Sequence, residues 1–99
     1  MIDLSAIEGF DWDDGNSRKS LEKHRVTQAE AEQVFSGEAL LAEDVKHSQD
    51  EARYQALGST ADGRLLHVTF TLRDENRKIR VISARDMHRK ERAIYEQEA

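Results

Sequence analysis

The 99-residue chain contains no cysteine and no proline. Without cysteine, a disulfide framework, a thiolate metal site and a cysteine nucleophile are all excluded together. No repeat, low-complexity tract or linker-like stretch divides the chain, so residues 1–99 read as a single domain. No apolar run reaches the length of a membrane span, and residues 1–10 lack the basic start and apolar centre of a signal peptide. The expected location is the cytoplasm. Apolar residues are also scarce, 37% of the chain against 35% charged. The core must therefore be thin, and much of the surface, or a partner interface, must be ionic.

The net charge of −5 argues against a nucleic-acid surface, but its distribution is uneven. Residues 1–63 hold 6 Lys/Arg against 14 Asp/Glu, whereas residues 64–99 hold 9 against 6. Arg77, Lys78, Arg80, Arg85, Arg89, Lys90 and Arg92 are concentrated in one short stretch. Local potential governs phosphate binding more than net charge does. The alternative is a solvated surface whose charges pair internally, which is the ordinary meaning of charge runs.

Periodicity and turn chemistry predict an α+β fold. Phe10-Asp11-Trp12-Asp13 reads as a short extended entry with Phe10 and Trp12 on one side. Asp13 or Asp14 then caps a helix over about 15–24, whose main apolar anchor is Leu21. Thr27-Gln28-Ala29-Glu30 has the capping-box pattern, and the helix it starts carries Val34 and Phe35 and stops at Ser36-Gly37. Strands are predicted over 39–45 and 53–60. Asp62-Gly63 turns the chain into a third strand over 64–73, where Leu66, Val68, Phe70 and Leu72 alternate with His67, Thr69, Thr71 and Arg73. After the turn Asp74-Glu75-Asn76, a strand over 79–85 is apolar on both faces and reads as central. Asp86 is expected to cap a final helix over 87–97 in which Met87, Glu91, Ile94 and Tyr95 share a face. A carboxylate in that stripe predicts an inward pair between Glu91 and an arginine, Arg80 or Arg85.

Several motifs follow one another in order: Phe10-x-Trp12-Asp13, Gly15-Asn16-x-x-Lys19-x-x-x-Lys23-His24-x-Val26, Asp44-x-x-His47, Glu51-x-Arg53, Gly58, Gly63-Arg64, and Ile79-Arg80-x-Ile82-Ser83-Ala84-Arg85 followed by Glu91 and Tyr95. This ordered set resembles the BrnT-type toxins of type II toxin–antitoxin systems, within the RelE-like ribonuclease superfamily, and covers about residues 10–96. Two positions depart from the family pattern. Arg25 stands where glycine is usual after the Lys-His pair, and Ser20 where asparagine is frequent. Glycine there would end the first helix in a left-handed conformation that costs arginine some energy.

The resemblance implies a RelE-like fold: a curved antiparallel sheet of about four strands plus a short N-terminal strand, with two N-terminal helices and one C-terminal helix. It implies RNA cleavage that arrests translation, and a BrnA-like antitoxin partner, a ribbon-helix-helix DNA-binding protein that represses the operon as a complex. Such a ribonuclease needs a base near the ribose 2′-OH, cationic donors on the transition-state phosphate, a proton source for the leaving 5′-oxygen and a grip on the strand. The composition calls for no metal and no cofactor, since His24, His47, His67 and His88 lack the spacing of metal ligands.

The expected catalytic set is Lys23, His24, Arg53, Arg64 and Arg85. Arg85 is the first choice for the transition-state phosphate, and His24 is the general base or acid. Lys23 would contact phosphate or do acid–base work. Arg80, His47 and His67 are expected to bind RNA, with Glu91 and Tyr95 in support. Structural readings stand beside these. His24 could cap carbonyls, Arg53 and Arg64 could pair with Asp44 or Glu51, Arg80 could pair with Glu91, and His47 could only hold its turn. Two other functions remain open: a non-catalytic interaction module that binds a DNA-binding antitoxin and modulates operon repression, and a nucleic-acid-binding domain without catalysis.

Overall fold

A computed structural model describes residues 4–47 and 50–98. The elements run β1 (Gly9–Phe10), α1 (Asp14–His24), α2 (Gln28–Ser36), β2 (Leu40–Glu43), a 3₁₀ turn (Val45–His47), β3 (Tyr54–Ser59), β4 (Leu65–Arg73), β5 (Lys78–Asp86) and α3 (Arg89–Glu98). Together the strands make one sheet of order β1-β5-β4-β3-β2. The four longer strands form an antiparallel meander, and β1 adds to β5 in parallel, so the sheet is mixed. The α+β expectation holds. The middle strand is β4, however, and not the segment after the Asp74 turn. β5 lies one strand from the edge, and its outer side is covered by β1 and α1.

That outer side explains α1. β1 pairs only with Lys78 and Ile79, which leaves the rest of β5 without a strand neighbour on this side. Asn16 and Ser20, one helical turn apart, fill the gap. Asn16 Nδ2 donates to the carbonyl of Val81 at 2.9 Å and to that of Asp11 at 3.1 Å. The Ala84 N–H donates to Ser20 Oγ at 2.9 Å. Both side chains are buried, while Leu21, the expected anchor, is 47% exposed. Unpaired strand amides and carbonyls demand hydrogen bonds more than a sheet edge demands a methyl group, so the polar side chains face inward and Leu21 faces out. Asp13 and Asn16 also form a reciprocal capping box at the start of the helix. Its end falls at Arg25, with φ 58° and ψ 35°, the left-handed conformation that the sequence anticipates at this corner.

The core lies between the helices and one face of the sheet. Leu66, Val68 and Phe70 of β4, Ile79, Val81 and Ala84 of β5 and Ala56 of β3 meet Val26, Ala31 and Val34. Phe35 stacks edge-on against Phe70 at 5.0 Å and tilts against Phe10 at 5.7 Å. Trp12 packs at the margin, and its Nε1 donates to Glu32 at 2.7 Å. α2 sits so close to β3 that a Cβ on Gly58 would lie 2.8 Å from a Val34 methyl. The α2 capping box forms between Thr27 and Glu30 as the sequence predicts.

The two tight turns of the meander, β3–β4 and β4–β5, use positive φ. Gly63, at φ 88°, closes the β3–β4 hairpin, while Asp74, Glu75 and Asn76 all adopt the left-handed region between β4 and β5. Short polar side chains tolerate that region best. The C-terminal helix differs from expectation at its start. Asp86 ends β5, and α3 begins at Arg89. The cap comes instead from Glu91, whose carboxylate accepts the His88 N–H at 2.7 Å. Met87 is buried ahead of the helix, but Ile94 is 52% exposed, so the predicted apolar stripe is only partly covered.

Candidate functional site

The opposite face of the sheet is polar over β4 and β5 and apolar toward Leu40 and Leu57. In cross-strand register, Gln55 of β3 lies opposite Thr69 of β4, which lies opposite Ser83 of β5; the next row is Leu57, His67 and Arg85. The pairing slips by one residue at Thr69/Phe70, making Ile82 the extra residue of a bulge. Bulges re-aim neighbouring side chains, and here Ile82 and Ser83 line one groove. Its volume is about 370 Å³, and its walls are Lys19 of α1, Asp44 and His47 of the 3₁₀ region, Arg53, and Glu91 of α3, over a floor of Gln55, His67, Thr69, Ser83 and Arg85. A second space of about 420 Å³ adjoins the rim at His47, Asp50, Glu51 and Arg53.

The expected site residues divide into two groups. Arg53, Arg85, His47, His67 and Glu91 come together at this groove. Lys23, His24, Arg64, Arg80 and Tyr95 do not line it. Arg64 is engaged throughout: it donates to Asp86 at 2.7 Å, to Glu30 at 3.0 Å, and to the carbonyls of Arg25 and His24 at 2.8 and 3.1 Å. It ties the end of α1 to the sheet, and the Asp86 contact raises the guanidinium pKa further. Its ion-pair partners are Glu30 and Asp86 rather than Asp44 or Glu51; Glu51 takes Arg73 at 3.2 Å. Arg80 pairs with Asp13 at 2.8 Å and Asp11 at 3.5 Å, so the Arg80–Glu91 pair is not formed. Internal pairing therefore absorbs much of the basic C-terminal third.

Glu91 selects Arg85, with two parallel bonds of 2.8 and 2.9 Å. That fork, helped by the His88 amide, pulls the Glu91 carboxyl down to about 2. His67 lies beneath, its side chain 8% exposed and its Nε2 3.8 Å from Glu91. Burial, then the nearby Arg85 charge, lowers its pKa, so the ring is neutral near pH 7. Its Nδ1 has no hydrogen-bond partner among the described residues. His47 is exposed, with Nδ1 3.0 Å from the Asp44 carboxylate. A carboxylate only accepts, so Nδ1 carries the proton and Nε2 is left as an acceptor when the ring is neutral. Asp44 also receives the Gln55 amide at 3.2 Å. Burial opposes ionisation of Asp44, yet His47 and Gln55 together hold its pKa below the ordinary value.

Arginine and lysine beside the hydroxyl and amide groups of Thr69, Ser83 and Gln55, with an oriented imidazole at the rim, can bind a phosphodiester and move a proton beside it. Among the described residues no cluster of three or more His, Asp or Glu is placed to hold a metal ion. Sequence reasoning left Lys19, Asp44, Gln55, Thr69 and Ser83 without a role in the site. The period-two alternation of β4 places Thr69 beside His67, and the register of two hairpins would have brought Gln55 and Ser83 opposite it.

Three comparisons bear on the chain. Residues 12–91 match the family model described as the ribonuclease toxin, BrnT, of type II toxin–antitoxin systems. The fold is similar to the 1.1 Å crystal structure of the Brucella abortus ribonuclease toxin BrnT, at 20% identity over 82% of this chain and 97% of that one, with a TM-score of 0.58. No curated protein sequence matches.

Proposed function

The chain belongs to the family of BrnT ribonuclease toxins of type II toxin–antitoxin systems, and we propose that it is a metal-independent endoribonuclease that cleaves RNA in the polar groove. In this reading cleavage arrests translation in the cytoplasm, and a cognate BrnA-like antitoxin of ribbon-helix-helix type neutralises the toxin. The observation that carries the reading is the convergence of Lys19, Arg53, Arg85, His47 and His67 on one groove. No helix among the described residues is long and apolar enough to cross a membrane.

The reaction follows from these groups. The ribose 2′-oxygen attacks phosphorus, an O2′–P bond forms as the P–O5′ bond breaks, and the products are a 2′,3′-cyclic phosphate and a 5′-hydroxyl. His47, its Nδ1 held by Asp44, takes the 2′-hydroxyl proton at Nε2. Arg85, with Arg53, meets the charge that develops on the non-bridging oxygens. Lys19 supplies the proton to O5′. His67 is a neutral contact on the groove floor. Glu91, ionised far below neutral pH, holds Arg85 in place rather than acting as an acid. Arg64 and Arg80 serve as posts that fix α1, while Lys23 and His24 contact the strand outside the groove.

The test is cleavage of a short RNA by the purified full-length chain, with and without EDTA, followed by identification of the end groups. Cyclic phosphate ends in the presence of EDTA are expected, and Arg85→Ala should slow cleavage by roughly 100-fold or more. No cleavage by the native protein would refute the reading. One observation favours a second reading, a non-catalytic module that binds its antitoxin and modulates operon repression: both terminal nitrogens of Arg85 are already bound to Glu91. Growth arrest on induction of the chain alone, lost in Arg85→Ala, favours the enzyme; unaltered growth favours the module.

A further inference from the structure

Gln55, Thr69 and Ser83 stand in one row across three strands, at the floor of the groove that holds Arg85. Nothing in the proposed chemistry uses them. They are also the neutral hydrogen-bonding members of a lining otherwise made of ionisable groups and Ile82. We infer that this row is a base-reading subsite, which takes the base of an RNA nucleotide next to the cleaved phosphate and favours a base with an exocyclic amino group. The inference rests on the ribonuclease reading above.

Three features support it. First, the Gln55 amide has a fixed sense. Its Nε2 donates to Asp44 at 3.2 Å, and the reverse orientation would set its carbonyl oxygen against a carboxylate. The Oε1 end is thereby left as an acceptor, the partner that an amino group of adenine, cytosine or guanine requires. Second, the Thr69 and Ser83 hydroxyls have no side-chain hydrogen bond among the described residues. Each can donate or accept, so each can complete the pattern of a base edge. Third, the bulge puts the apolar Ile82 beside Ser83 on the same lining, giving a base face a surface to pack on while its edge meets the row. The cations of the same groove hold the backbone, which positions the base without reading it.

The experiment is a map of cut sites on a random-sequence RNA, made with the native chain, Gln55→Leu, the pair Thr69→Val/Ser83→Ala, and Thr69→Ser. Circular dichroism confirms that each variant is folded. The native chain is expected to favour amino-bearing bases at one position beside the cut. That preference should shrink roughly tenfold in Gln55→Leu and in the double variant, the size expected for loss of one or two such hydrogen bonds. Thr69→Ser, which keeps the hydroxyl, should retain it. A substrate carrying inosine for guanosine or purine riboside for adenosine at that position should be cut roughly tenfold more slowly by the native chain and no more slowly by Gln55→Leu. The inference is overturned if the native chain cuts without base preference, if the preference survives in both variants, or if they lose cutting equally at all sites as Arg85→Ala does. Each of those results leaves the ribonuclease reading standing. Only a native chain that cuts nothing removes both.

Discussion

The edge of β5 offers a direct test of what holds this thin-cored protein together. Asn16 places three side-chain hydrogen bonds at the junction of α1 and the sheet: to Val81 at 2.9 Å, to Asp11 at 3.1 Å and from the Asp13 N–H at 2.7 Å. Asn16→Ala strands the Val81 carbonyl in a buried position. At about 1 kcal/mol per net bond, and more where a buried group is left unpaired, the loss is about 3 kcal/mol. Ser20→Ala removes one bond, to the Ala84 N–H, and should cost about 1–2 kcal/mol. Leu21 is 47% exposed. Its truncation loses only part of a leucine's burial and gains helix propensity, for a net cost of about 0.5 kcal/mol. For a domain of this size each kcal/mol moves Tm by about 4–8 °C. Thermal melts should therefore show drops of roughly 12–24 °C for Asn16→Ala, 4–16 °C for Ser20→Ala and under about 4 °C for Leu21→Ala. Amide exchange at Ala84 should accelerate in Ser20→Ala. The reasoning fails if Leu21→Ala is the most damaging of the three, or if Asn16→Ala shifts Tm by less than about 4 °C.

Arg64→Ala should destabilise the fold by about 1–3 kcal/mol, since it breaks a partly buried network of two carboxylates and two carbonyls. Measured well below its Tm, it should still cut RNA within a few-fold of the native rate, in contrast to Arg85→Ala. Arg25→Gly should stabilise by about 0.5–1 kcal/mol because the residue sits at φ 58°, and a urea midpoint that falls would contradict this. The Glu91 carboxyl is held at about 2, below its ordinary 4.5. Its contribution is thus complete above about pH 4.5 and lost as pH falls through about 2; urea titrations at stepped pH should show that slope, flattened in Glu91→Gln. His67 works in a higher window. Its pKa is lowered by burial and by Arg85, so the folded state loses ground once pH drops below 6.5, and His67→Gln should remove that part of the dependence.

Much of the architecture is legible from local chemistry. Thr27 and Glu30 announce α2, Gly63 the hairpin, and the alternation through Leu66, Val68, Phe70 and Leu72 the buried face of β4, because each signal depends on residues within a few positions of one another. Signals that reach across the fold behave differently. Leu21 has the composition of an anchor and lies half exposed, whereas Ser20 and Asn16 are buried, since their partners belong to a strand more than sixty residues away. Asp86 looks like a helix cap and ends a strand instead, where Arg64 claims it. The candidate site divides in the same way. Arg85, Arg53, His47, His67 and Glu91 are recognisable from the chain, but the row of Gln55, Thr69 and Ser83 exists only once two hairpins fix their register.

By itself, the sequence determined the α+β class, the family pattern, the polarised charge, the left-handed corner at Arg25 and the turn at Asp74-Glu75-Asn76. All of these are written in residue type and short-range spacing. The tertiary structure alone decided which charges are spoken for. Arg64, Arg73, Arg77, Arg80 and Arg85 all have carboxylate partners in the folded chain, and of these only Arg85 lines the polar groove, beside Lys19 and Arg53. Ion pairing depends on a few ångströms of separation between segments distant in sequence, and only the packed sheet sets that distance.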